Sequence, residues 1–382
     1  MMNKYFYALN RRFSSLYVSL FDTQFNNDDN FQLNNLENYF RDQPSNFNDR
    51  KKLKEITEYY KNAKEVQIQK NIIYQVGSEW MPIYQKYMSE IQSILIKGNL
   101  DELSDKYNNF FREKFSTGLH GDSGYERFKK RYLSEKISFI DKNLYVKQCL
   151  NSLKNWKKLI DEKKIDVNLD DLVVPSIGND YNFKFNGRLI NPNYFISNYY
   201  ANYSSRLVNQ ESNKRKIIFE LGGGYGAYAY FLNKKNDYCY IGCDLPENLS
   251  LTAFYLKSLL PNKKIRIIAD LKNEKIDFNE SDIILISNYD IENLPSNIID
   301  LSFNSYSLAE MHPEAVNNYI EHICRITKGM ILHINHTLYS KVSANDFNID
   351  VKKFDLISKE PVIWSKYINK FSDEFEFLYG CK

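Results

Sequence analysis

The chain has 382 residues, 43% hydrophobic and 26% charged, which is enough apolar content for a sizeable core, excludes wholesale disorder and suggests two domains. A formal charge of +3 gives no electrostatic case for a nucleic-acid partner. The five cysteines, Cys149, Cys239, Cys243, Cys324 and Cys381, are scattered without Cys-x-x-Cys spacing, which argues for reduced thiols and against a disulfide framework or a zinc site.

Met1 to Phe13 lacks the apolar stretch of a signal peptide, and no later run approaches membrane-spanning length; a soluble, cytoplasmic protein is expected. Periodicity is weak between Phe13 and Phe40 and turns helical from Lys51, with Tyr84, Met88, Ile91 and Leu95 at helical spacing before Gly98. Leu103, Tyr107, Phe110 and Phe111 continue the pattern to Phe115, where the polar loop Ser116 to Asp122 breaks it. That loop either receives an anionic group of a substrate through Arg112 and His120 or is a solvated turn. Helical stretches at Tyr125 to Lys136 and Leu144 to Lys158 complete an all-helical domain over 1–175, expected to cover the acceptor site.

The pattern becomes extended at Val173 to Gly178. Phe183 to Phe185, then Asn186-Gly187, then Arg188 to Ile190 reads as a two-residue hairpin, because Asn-Gly supplies both positive φ values. It opens a second domain, 176–382. Asn193 to Val208 is an aromatic helix whose Tyr199 and Tyr200 either face a ligand cleft or pack on the sheet.

Lys216 to Leu221 reads as a buried parallel strand that runs into Gly222, Gly223, Gly224, Tyr225 and Gly226, followed by a helix to Leu232. Strand, glycine turn and helix in that order predict a Rossmann-like α/β domain, a mostly parallel sheet with helices on both faces, binding a nucleotide-like ligand at the turn. Glu220 stands before the glycines, where an ammonium suits it and a pyrophosphate does not. The next strand, Tyr238 to Cys243, ends at Asp244, placed for ribose hydroxyls, with Leu245 beside it. The glycines alone do not exclude a nicotinamide dinucleotide; Glu220 favours S-adenosylmethionine (SAM) as cofactor. Ile265 to Ala269 and Asp282 to Ser287 are strand-like, with Tyr289 beyond them a candidate against an adenine. Ile298 to Phe303 is the fourth core strand, with Asn304 and Ser305 at its tip. Lys328-Gly329 is expected to end the helix after Pro313, before a strand from Met330 to Asn335. Val362 to Tyr367 and Phe375 to Tyr379 read as a closing pair.

Glu220-Leu-Gly-Gly-Gly-Tyr-Gly226, Asp244-Leu-Pro-Glu247 and Asn304-Ser-Tyr-Ser-Leu-Ala-Glu-Met311 together resemble the putative sugar O-methyltransferase family, SAM-dependent enzymes of bacterial surface polysaccharides. The resemblance covers mainly the C-terminal half. It implies methyl transfer to a sugar hydroxyl, the acceptor being a sugar nucleotide or a polysaccharide residue. Proton removal from that hydroxyl then calls for a base, with His312, Glu310, His333 and His336 as candidates near strand tips. His333-x-x-His336 has no matching carboxylate cluster, so no metal is expected. A nicotinamide-dependent oxidoreductase is the alternative enzyme, but its Tyr-x-x-x-Lys spacing occurs after the glycines only at Tyr230 to Lys234, inside the first helix. A non-catalytic scaffold of the same fold is the third reading.

Overall fold

The structure is a computed structural model that describes residues 36–39, 45–77, 80–119, 139–180, 182–208, 215–338, 341–362 and 373–382. The expected helix at 125–136, His120, and the closing strand beyond Val362 lie outside the described residues.

A small antiparallel sheet joins β1 (Leu36–Tyr39), β2 (Asn182–Phe185) and β3 (Arg188–Ile190). The β2–β3 turn is the expected hairpin, with Asn186 at φ 48° and Gly187 at φ 77°. The helical part thus contributes one strand of its own, beside α1 (Arg50–Ile68), α2 (Ser89–Lys97), α3 (Leu100–Asn108) and α4 (Phe139–Glu162). After α5 (Phe195–Val208), the main sheet is built from β4 (Ile217–Leu221), α6 (Ala227–Lys235), β5 (Cys239–Asp244), α7 (Pro246–Leu259), β6 (Ile265–Ile268), β7 (Ile283–Ser287), β8 (Ile299–Ser305), α8 (Pro313–Ile326), β9 (Thr327–His336), β10 (Phe354–Pro361) and β11 (Glu374–Cys381).

Its eight strands run in the order β10-β11-β9-β8-β4-β5-β7-β6, parallel except where β11 pairs antiparallel with β9 and β10. This is the expected Rossmann-like arrangement. The chain leaves β4 toward β5 on one side and returns to β8 on the other, which makes the β4–β8 boundary a switch point where ligands bind beyond the carboxyl ends of strands. The register sets those ends level: Leu221 lies opposite Cys243 and Asn304, and Asp244 opposite Ser287.

Period-two alternation divides the sheet into two apolar faces. Ile218, Tyr240, Leu285, Leu301 and Leu332 share a core with helices α1 to α7. Phe219, Ile241, Ile284 and Ile286 face α8, whose Val316, Tyr319, Ile320 and Ile323 recur at helical spacing. Cys239 and Cys243 sit on this second face as packing residues. One boundary differs from expectation: α8 ends at Ile326, and Lys328 and Gly329 already belong to β9. A Cβ on Gly329 would lie 2.1 Å from the Asp300 carbonyl oxygen, so this glycine admits a neighbouring strand and does not stop a helix. No helix among the described residues is long and apolar enough to cross a membrane.

Candidate functional site

The glycine turn after β4 is fixed from both sides. Gly222 has φ 75°, and a Cβ there would lie 2.2 Å from the Ser307 hydroxyl oxygen. Its N–H donates to the Cys243 carbonyl at 2.8 Å, the Gly224 N–H to Asp244 Oδ2 at 3.0 Å and the Gly226 N–H to the Gly223 carbonyl at 3.1 Å. From the far side, the Asn304 amide and the Ser307 hydroxyl both donate to the Leu221 carbonyl.

Two adjoining cavities open at this turn. The first, of about 340 Å³, lies on the β5 side against Gly222, Gly224, Asp244, Leu245, Asn248 and Asn288. The second, of about 200 Å³, lies on the α5 side against Glu220, Gly223, Tyr225, Tyr200, Ser305 and Tyr306. Trp80, Leu119, Ser307 and Glu310 wall both. At the boundary, the Trp80 indole N–H donates to Glu310 Oε2 at 2.6 Å. Residues 72–77 cover the first cavity, pinned where the Asn288 amide donates to the Tyr74 carbonyl at 2.8 Å. Below, Lys64 of α1 pairs with the buried Glu247 of α7 at 2.8 Å, fixing the helix that carries this cover.

Four carboxylates border the two cavities: Glu220, Asp244, Glu310 and Glu314; no lysine or arginine does among the described residues. Glu220 is buried, accepts from the Tyr240 hydroxyl and is pushed up to about 8, chiefly by burial. Asp244 is pushed up to about 6 by burial, against the opposing effect of its hydrogen bonds. Tyr306 holds φ 64° at the tip of β8, an uncommon conformation for a bulky residue that tends to collect at ligand sites.

The sequence-derived candidates separate on this geometry. Glu220, Gly222, Gly223, Gly224, Tyr225, Asp244, Leu245, Ser305, Tyr200, Glu310 and His312 border one cavity or both. Gly226 instead caps α6, and Asn304 is committed to bracing the turn. His333 is a correction: strand alternation turns it onto the α8 face, where it stacks at 4.7 Å on Phe377 and burial lowers its pKa to about 3. His336 borders neither cavity; its Nδ1 is 3.2 Å from Asp373 Oδ2, a bond that raises its pKa. Tyr289 is likewise corrected, since it is fully buried and donates to the Ala63 carbonyl at 3.1 Å. Tyr199 packs against Tyr203. Arg112 donates to the Asn179 carbonyl at 2.8 Å and lies on neither wall. Asn288 opens the segment Asn288 to Asp290 expected beside an adenine, and it, not Tyr289, borders the first cavity. Trp80, Leu119, Asn248 and Ser307 had no expected role; Asn248 stands one helical turn after Asp244, and Ser307 lies within the Asn304 to Met311 motif. No group of three or more His, Cys, Asp or Glu among the described residues is arranged to hold a metal ion.

No protein-family model matches the chain, and no curated protein does. Among solved structures, it is similar to the magnesium protoporphyrin IX methyltransferase of Synechocystis PCC 6803 with bound SAM, at 10% identity over 68% of this chain and 92% of that one, TM-score 0.33. Geranyl diphosphate C-methyltransferase from Streptomyces coelicolor A3(2) matches at 10% identity over 48% and 76%, TM-score 0.33. A SAM-dependent methyltransferase from Aquifex aeolicus matches at 13% identity over 46% and 88%, TM-score 0.30. Likeness this slight leaves the function to be read from the chain's own residues.

Proposed function

We propose that this chain is a SAM-dependent methyltransferase whose acceptor is a sugar hydroxyl, on a sugar nucleotide or a surface polysaccharide. The observation that carries the cofactor is the acid-bordered pair of cavities, with no described lysine or arginine on their walls. A cation is favoured there and a pyrophosphate is repelled. Within the turn, the N–H groups of Gly222, Gly224 and Gly226 already bond to the protein, which leaves fewer donors for a pyrophosphate. The resemblance of the Glu220, Asp244 and Asn304 motifs supports the sugar.

The residues bordering the cavities suit the chemistry of SAM. Asp244, Leu245 and Asn288 would hold the nucleoside in the first cavity, and Glu220 the ammonium of the amino-acid end in the second. When bound, SAM supplies an electrophilic methyl on its sulfonium. Glu310, on the wall common to both cavities and oriented by Trp80, removes the acceptor's hydroxyl proton. His312 is exposed and borders only the first cavity, which makes it the weaker base. Tyr306 offers an apolar face to the acceptor, backed by the buried Tyr200, and the helical part, through Trp80 and Leu119, covers it. The free thiols of Cys239, Cys243, Cys324 and Cys381 suit a reducing cytoplasm.

Calorimetric titration with SAM, S-adenosylhomocysteine (SAH) and NAD in parallel tests the cofactor, followed by a methyl-transfer screen of sugar nucleotides and oligosaccharides. Binding of both adenosyl ligands without NAD is expected. NAD binding alone would overturn the reading.

A further inference from the structure

Asp244 has fewer acceptor positions left than a ribose diol requires. A carboxylate offers about four lone-pair sites, two on each oxygen. Its Oδ1 already accepts from the Leu245 N–H at 2.7 Å and the Asn248 amide at 2.9 Å, and its Oδ2 from the Gly224 N–H at 3.0 Å. One site remains, on Oδ2, so a single hydroxyl can be taken there. The expectation that one carboxylate serves both hydroxyls therefore fails on the local bonding.

Asn248 supplies what is missing. It borders the same cavity, is only 5% exposed, and its Oδ1 is buried without a hydrogen-bond partner. The amide cannot be assigned the other way round, because the group facing a carboxylate must be the N–H₂ donor. Among the described residues bordering the first cavity, no other has a buried side-chain oxygen or nitrogen without a partner. A buried unsatisfied carbonyl is costly, and the cost is removed by a ligand donor.

We propose that Asn248 is a nucleoside-binding residue, and that the vicinal hydroxyls of the cofactor are divided between Asp244 Oδ2 and Asn248 Oδ1. This assignment rests on the adenosyl reading above. It gives the bond between the Asn248 amide and Asp244 a role: the bond holds the Asn248 side chain beside the carboxylate. A ligand lacking either hydroxyl leaves one acceptor unpaired.

The test is a binding cycle by calorimetry, using SAH, 2′-deoxy-SAH and 3′-deoxy-SAH with the wild-type protein and Asn248→Ala. Asn248→Ala should raise the Kd for SAH about tenfold. One deoxy analogue should bind wild type about tenfold more weakly than SAH, yet bind Asn248→Ala as SAH does. A variant that only loosens Asp244 would weaken all three ligands without that coupling, and this result would overturn the assignment while leaving the cofactor standing. Unchanged SAH affinity in Asn248→Ala would overturn it equally. If wild type binds no SAH at all, the adenosyl reading falls and this assignment with it.

Discussion

Glu220 should change its protonation when a cationic ligand arrives, and that change can be counted. Its carboxyl is pushed up to about 8, first by burial, with the Tyr240 hydroxyl opposing and Asp244 reinforcing the rise. At pH 7 about nine in ten molecules then carry the proton. An ammonium placed beside it favours the carboxylate, so SAM or SAH should release roughly 0.9 proton per site at pH 7, and much less at pH 9. Calorimetry at one pH in phosphate and in Tris, whose ionisation enthalpies differ, gives the number directly, and Glu220→Gln should bring it near zero. A wild-type release equal to that of Glu220→Gln would put the ammonium elsewhere and refute the reasoning. The ligand-free protein provides a second check. A folded-state pKa raised from 4.5 to about 8 means that the native state holds more protons than the unfolded state between those values, so stability falls as pH rises through that window. The loss from Glu220 is on the order of 5 kcal/mol. Asp244, pushed up to about 6, and Asp290, to about 7, act in the same direction. Thermal unfolding should show Tm decreasing from pH 5 to pH 8, and less steeply in Glu220→Gln.

Two further predictions concern the shared wall and the turn. Glu310→Gln should lower kcat for methyl transfer by roughly 10²- to 10⁴-fold with little effect on SAM affinity, while His312→Ala changes kcat far less; the opposite ranking in steady-state kinetics would move the base to His312. Gly222→Ala forces a Cβ against Ser307 at a positive φ, so it should cost about 1–3 kcal/mol of stability and weaken SAM binding in calorimetry. Wild-type behaviour in both assays would show that the turn adapts.

What was legible in the sequence was local. The apolar run before the glycines, the acid at each of two strand ends and the Asn-Gly hairpin are encoded in consecutive residues, and their placement follows from backbone chemistry. Misreadings arose where position along a strand was known but the direction of the side chain was not. His333 and Tyr289 lie near strand ends as expected, yet alternation and burial turn both away from the cavities. Gly329 illustrates a different ambiguity: a glycine after a helical pattern signals a stop, and equally a close backbone approach. Trp80 and Leu119 could not be assigned, because they reach the site through packing between segments more than a hundred residues apart. Asn248 is marked in the sequence only by its spacing, one helical turn after Asp244; that its amide bonds to this carboxylate and leaves its carbonyl without a partner is a property of the fold.

Leu53 of α1, Trp156 of α4, Leu285 of β7 and Leu378 of β11 belong to one continuous core. The helical segment and the sheet are therefore poor candidates for separate expression. A fragment beginning at the hairpin would present to water the apolar face now covered by α1 and α4, and the isolated helices would lose the surface on which they pack. Modularity is correspondingly low: neither half can be exchanged for another protein's without uncovering that interior. Change at the cavities is therefore open mainly to single replacements on their walls, at less buried positions such as Tyr306, with the shared interior left intact.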